Sequence, residues 1–211
     1  MISETLQTSF KTSYLALMGY TGITLIEALR TKNLNSRHIM NIETTVSIVA
    51  GIVYGMFLEM IKKPDVDFRE ITKLRYLDWG ITTPLIILTI VLFYSGNGTP
   101  PFYNYLMLVL LNCGMLLSGY LGETKQIDKM KGFFLGFIFF ALMLFAMMSC
   151  CVPADANLTV FIFFAIVWTG YGFAYLMDEE KKNLSYNVLD VISKALFGIV
   201  LYFYYGKVLK F

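Results

Sequence analysis

Apolar and polar positions along this chain alternate in blocks of about twenty residues rather than every second or fourth one. Seven apolar stretches, with approximate limits 10–29, 39–61, 74–93, 102–121, 132–152, 158–177 and 186–207, are separated by short polar connectors such as RTKNLNSRH, KKPDVDFREITK, GETKQIDKMK and DEEKKNLS. An α-helix needs about 20 apolar residues to cross the hydrocarbon core of a bilayer. The pattern therefore predicts an all-α, multi-pass integral membrane protein, a single domain over 1–211 built as a bundle of seven transmembrane helices. An odd number of spans puts the two ends of the chain on opposite sides. Gly51 with Gly55, and Gly132 with Gly136, form G-x-x-x-G pairs, read here as sites of close helix packing.

Composition narrows the class further. The chain is 57% hydrophobic and 15% charged, against about 25% charged in an average soluble domain. A net charge of +2 gives no reason to expect a nucleic-acid partner. One His (His38) and three Cys (Cys113, Cys150 and Cys151) provide neither a metal site nor a disulfide framework. The first residues lack the basic start and cleavage site of a secretory signal.

Against this background the ionisable residues inside the apolar stretches stand out. In the seventh, Asp190 and Lys194 lie four residues apart, on one face of a helix. A charge at the centre of a span costs roughly 2.5–3.5 kcal/mol even on the lenient insertion scale, which marks Lys194 as a functional candidate. A desolvated Lys can lose its proton and attack an aldehyde, and a nearby carboxylate would balance the resulting cation. The third stretch contains RYLDWGITTP, in which Arg75, Asp78 and Thr82 share a face and Thr89 lies almost on the same stripe. Arg75 and Asp78 with the Thr82 hydroxyl read as a buried pair and relay. Glu27 closes the first stretch, while Glu43, Tyr54 and Glu59 lie near the start, middle and end of the second.

R-Y-x-D-W-x-x-T-T-P in the third span with L-D-V-x-x-K in the seventh resembles the microbial (type 1) rhodopsins, over essentially the whole chain. Asn112-Cys113-Gly114-Met115 with Gly119, and Trp168-x-x-Tyr171-Gly172-x-x-Tyr175, resemble further family segments. Gly172 stands where the family has Pro, and Tyr175 where it has Trp. The resemblance implies a photoreceptor rather than an enzyme, with all-trans retinal held on Lys194 as a protonated Schiff base. It makes Asp78 the primary counterion and proton acceptor, Asp190 the second counterion, and Tyr54 a partner of Asp190, with Arg75 on the exit side. Trp79, Thr83, Met115, Gly119, Trp168, Tyr171 and Tyr175 would line the pigment.

Thr89 occupies the position where well-known pumps carry an acidic proton donor. Glu43 falls at a similar depth and is the candidate substitute, with Glu27 close by. On the release side only Glu180 of the family's acidic pair is present, with Lys182 in the other position. Asp178 and Glu179 are further candidates for release.

The implied function is a light-driven outward proton pump. The alternative is a light-gated cation channel with Glu27, Glu43 and Glu59 along its path, and the third reading is a sensory rhodopsin. The compact chain and extra glutamates are similar to giant-virus rhodopsins, which would place the protein in a host cell membrane. Family habit implies a homo-oligomer, trimer or pentamer, moving protons or small cations through a lipid bilayer. It also implies an outer N-terminus, although the connectors are more basic on that same outer side, against the usual bias.

Overall fold

The computed structural model describes residues 2–96, 98, 101–196 and 198–201. Seven helices follow one another: α1 (Glu4–Arg30), α2 (Leu34–Met60), α3 (Phe68–Ser95), α4 (Phe102–Glu123), α5 (Lys129–Cys150), α6 (Thr159–Tyr175) and α7 (Glu179–Asp190). α7 runs on through a π-helical turn, Val191–Leu196, and resumes as helix to Leu201. The end of the expected seventh span, residues 202–207, lies outside the described residues. Each helix packs on the next, and α7 closes the ring against α1. Five of these helices are long and apolar enough to cross a membrane, and α6 is a shorter apolar helix. The protein is an integral membrane protein. Its outer face carries apolar side chains such as Leu15, Leu29, Leu110 and Phe145 that belong against lipid.

Polar residues in the connectors start the helices. Ser3, Asn33, Asp67, Asp128 and Asp178 each accept a backbone N–H from the first turn of the helix they precede, filling donors that have no partner within the helix. These caps lengthen the helices beyond the apolar stretches. α3 begins six residues before 74, and α7 begins seven residues before 186, so segments expected as connector form the ends of helices.

Both G-x-x-x-G pairs lie at close contacts. A Cβ on Gly51 would meet Met18 of α1 at 2.6 Å, and one on Gly132 would meet the Ser118 carbonyl of α4 at 2.8 Å. Pro84 lies inside α3 without ending it, and having no N–H it leaves the Gly80 carbonyl without its usual intrahelical donor. These features leave the bundle interior to the polar stripe of α3, the inner faces of α1 and α2, and the π-helical turn of α7.

Candidate functional site

Lys194 stands in the π-helical turn and is 1% exposed. A π turn bonds i to i+5, and such turns concentrate at functional sites. The Lys194 ammonium contacts the Asp78 carboxylate from α3 and lies 3.5 Å from Asp190 Oδ1. Arg75 is buried in the same cluster, so two cations and two carboxylates balance to zero. That balance is what makes four buried charges tolerable, because an unpaired buried ion costs several kcal/mol.

The two carboxylates have different surroundings. Asp190 is fully buried and accepts from Arg75 Nη1 at 3.0 Å, Tyr54 at 2.8 Å, Trp79 Nε1 at 3.1 Å and Tyr171 at 2.7 Å. Asp78 has Lys194 on Oδ2, while its Oδ1 is buried without a hydrogen-bond partner.

The expected Arg75–Asp78 pair does not form. Arg75 bridges to α7 instead, donating to Asn187 at 2.9 Å and Asn183 at 3.2 Å as well as to Asp190. It does so within a cage of rings from Phe57, Tyr186, Tyr54 and Phe10, 5.0–5.9 Å from its guanidinium carbon. The ring faces and the planar fork of donors favour this position, and Asp78 is left to Lys194. The Thr82 hydroxyl likewise donates to the Asp78 backbone carbonyl at 2.8 Å, not to its carboxylate.

From Lys194 a cavity of about 100 Å³ extends between α3, α4, α5 and α6, with almost wholly apolar walls. Trp79, Thr83, Met115, Gly119, Trp168, Tyr171 and Tyr175 all contribute to those walls. Gly119, Gly132 and Gly136 keep them open where a larger side chain would fill the space. Thr83 is held by Asn112 of α4, which donates to its hydroxyl at 2.7 Å. An apolar cavity that reaches a buried amine between two carboxylates fits a hydrophobic aldehyde joined to Lys194.

The remaining expected residues fall in three places. Glu43 is fully buried on the opposite side of Lys194 from Arg75, against Tyr20 of α1 and the backbone of Gly198. Thr89 lies against it, although Glu43 Oε1 and the Thr89 hydroxyl both lack a partner with ordinary hydrogen-bond geometry. Glu27 is partly exposed beside the buried Thr24 and Ala28. Glu59 is at the surface, paired with Lys62 at 2.5 Å, and Glu180 is exposed. Sequence reasoning missed Asn183 and Asn187, although counting back from Asp190 by three and then four residues reaches both. It also missed the buried pair of Lys182 with Glu123 at 2.5 Å, which ties the start of α7 to the end of α4.

Fold and site define a seven-helix membrane protein with a Lys-centred, charge-balanced cavity, and comparison with known proteins shows the family. Residues 5–208 match the family described as bacteriorhodopsin-like protein, and the chain belongs to it. The crystal structure of viral rhodopsin OLPVRII is 36% identical, with a TM-score of 0.91, covering 97% of this chain and 99% of that one. The green-light absorbing proteorhodopsin of Gamma-proteobacterium EBAC31A08 is 26% identical over 184 residues, 75% of this chain and 71% of that protein. The light-driven proton pump Coccomyxa subellipsoidea rhodopsin shares the fold at 21% identity and a TM-score of 0.81, over 95% of this chain and 97% of that one.

Proposed function

We propose that this protein is a light-driven outward proton pump, with its N-terminus outside the membrane. The observation that carries this reading is the unequal pairing of the two carboxylates beside Lys194. All-trans retinal, bound to Lys194 as a protonated Schiff base, would supply the light-driven isomerisation that turns the nitrogen and its proton. Asp190 is saturated by four donors besides Lys194, so accepting a proton would cost it those bonds. Asp78 has an unpartnered oxygen and direct contact with the amine, which makes it the better acceptor.

Protonation of Asp78 removes one negative charge from the cluster, while Arg75 stays on Asp190, Asn183 and Asn187 at the outer end of α7. The proton leaves on that side, past Lys182, Glu123 and Glu179 to the exposed Glu180. Reprotonation of the Lys194 nitrogen comes from the other side. Glu43 is buried there with one hydrogen bond, from Tyr20, and no paired cation among the described residues, and a carboxyl so placed is held most cheaply in its neutral, proton-carrying form. Thr89, between Glu43 and the α3 stripe that leads to Asp78, gives the proton a hydroxyl to pass through.

The channel reading has less support, because its three glutamates do not share a path. Glu59 is at the surface with Lys62, Glu27 is partly exposed, and only Glu43 is buried. The sensory reading has no feature of its own in the described residues. A voltage-clamp series with proton and cation gradients varied separately tests the proposal. A pump gives outward photocurrent of one sign at every accessible voltage. Current that reverses at a potential tracking the external cations overturns the proposal in favour of a channel.

A further inference from the structure

Tyr20 of α1 was not among the residues expected to act, yet it supplies the one hydrogen bond that the Glu43 carboxyl receives among the described residues. Its hydroxyl donates to Glu43 Oε2 at 3.4 Å, and the phenol is 2% exposed. The other carboxyl oxygen, Oε1, is buried without a partner, as is the neighbouring Thr89 hydroxyl. Around them α1 contributes Tyr20 and Thr24, α2 contributes Glu43, Thr44 and Ser47, and α3 contributes Thr89. Each of the other hydroxyls here already donates to a backbone carbonyl: Thr24 to Tyr20, Thr44 to Met40 and Ser47 to Glu43. Glu43 makes no ion pair with any described residue.

A neutral carboxyl has a carbonyl oxygen, which accepts hydrogen bonds well, and a hydroxyl oxygen, which accepts poorly and donates. A phenol donating to Oε2 therefore favours the form with the carbonyl on Oε2 and the proton on Oε1. That places the proton on the oxygen without a protein partner, in a site where the neighbouring Thr89 hydroxyl also lacks one.

We propose that Tyr20 is a positioning residue that fixes the Glu43 proton on Oε1, the oxygen that the phenol leaves free, with the bare backbone of Gly198 preserving the space this requires. The proposal rests on the reading of Glu43 as a buried proton carrier. Gly198, from the helix beyond the π-helical turn, closes the site on its fourth side. A Cβ there would fall on the Tyr20 hydroxyl and come within 2.8 Å of Glu43 Oε2. Any side chain at 198 must therefore push the phenol away from the carboxyl. The helix that carries Lys194 thus also sets the contact between Tyr20 and Glu43.

Infrared difference spectroscopy of the pigmented protein in lipid tests this. Glu43→Gln identifies the Glu43 carbonyl stretch as the carboxylic acid band that it abolishes. In Tyr20→Phe, which keeps the ring and removes only the hydroxyl, that band moves to higher frequency because its carbonyl loses a hydrogen bond. The return of the proton to Lys194, followed by flash photolysis, slows roughly five-fold, the rate equivalent of one ordinary neutral hydrogen bond. Gly198→Ala shifts the band in the same direction with the tyrosine still present. Visible colour in both variants shows that the bundle has folded. A carbonyl band unmoved by Tyr20→Phe overturns this proposal while leaving Glu43 as proton donor. The absence of any acid band removed by Glu43→Gln overturns both.

Discussion

On the Arg75 side of Lys194, one carboxylate accepts hydrogen bonds from Arg75, Tyr54, Trp79 and Tyr171, and two asparagines of α7 hold the guanidinium in turn. On the other side, Glu43 receives one long hydrogen bond from Tyr20 and has no ion-pair partner among the described residues, and the hydroxyls of Thr24, Thr44 and Ser47 donate to backbone carbonyls instead. Both regions bury an acid completely. The first stabilises an ion by surrounding it with donors, and its proton-accepting capacity is spent. The second offers an ion almost nothing, so the acid is stable there only while it carries its proton. Under the proposed pumping, this asymmetry sets a poor ion site behind the amine and a hydrogen-bonded one ahead of it, with Asp78 between them holding an oxygen without a partner.

The largest effect is expected at the centre of the comparison. Lys194→Ala removes the only buried amine facing the cavity among the described residues. Added retinal then gives no visible pigment and no adduct reducible by borohydride, a complete loss. A coloured, reducible adduct in that variant would remove the basis for comparing the two sides at all.

Asp78→Asn ranks next. It keeps the shape of the side chain and takes away the acceptor, so the photocurrent falls by roughly 10²-fold or more, the range by which a positioned base contributes. The pigment still forms, because Asp190 and its donors remain. Undiminished current would mean that Asp190 accepts the proton despite its full set of hydrogen bonds.

Glu43→Gln affects only the other side. Transfer from Lys194 to Asp78 keeps its wild-type rate, whereas the return of the proton slows by about 10²-fold. With no internal donor the proton comes from solution, so the return rate falls about tenfold per pH unit as pH rises. A return rate that stays fast and independent of pH would assign the donor role elsewhere.

Much of this was legible in the residues. Seven apolar blocks of membrane length specify seven helices, because in lipid every backbone polar group must be satisfied within its own segment. Asp78, Asp190 and Lys194 declared themselves because ionisable groups in such blocks are costly and must meet. Other features depended on tertiary contacts that no local pattern encodes. Arg75 and Asp78 share a face of α3, yet Arg75 turns to α7, where the asparagines and aromatic rings are. Lys182 and Glu123 sit in segments that read as solvated connectors, but capping by Asp178 extends α7 so that Lys182 is carried inside to meet Glu123. The π-helical turn leaves no mark on composition or spacing, and nothing in the local pattern of α1 singles out Tyr20, whose role depends on Glu43 from α2 being brought against it.

The smallest expected effect concerns how the Arg75 side is held in place. Asp178 caps α7, accepting the Lys181 backbone N–H at 3.1 Å and pairing with the Lys181 ammonium at 3.2 Å. Both contacts hold its carboxyl below the usual carboxylate range. A carboxylate depressed in the folded state contributes stability that is fully present above its unfolded value, about 3.9, and is lost as pH falls through its folded one. Asp178→Ala should therefore lower the midpoint for thermal loss of colour at pH 7, and the gap to wild type should narrow as pH drops below about 4. Asp178→Asn, which can still cap but carries no charge, should fall between the two at pH 7. The first turn of α7 leads directly into Lys182, Asn183 and Asn187, so fraying it loosens the partners of Arg75 while leaving Tyr20 and Glu43 untouched. The return of the proton to Lys194 should keep its wild-type rate in Asp178→Ala even where the exit of the proton to the medium, followed with a pH-sensitive dye, is slowed. Equal slowing of both steps would show that the two sides of the bundle are mechanically coupled rather than separately built.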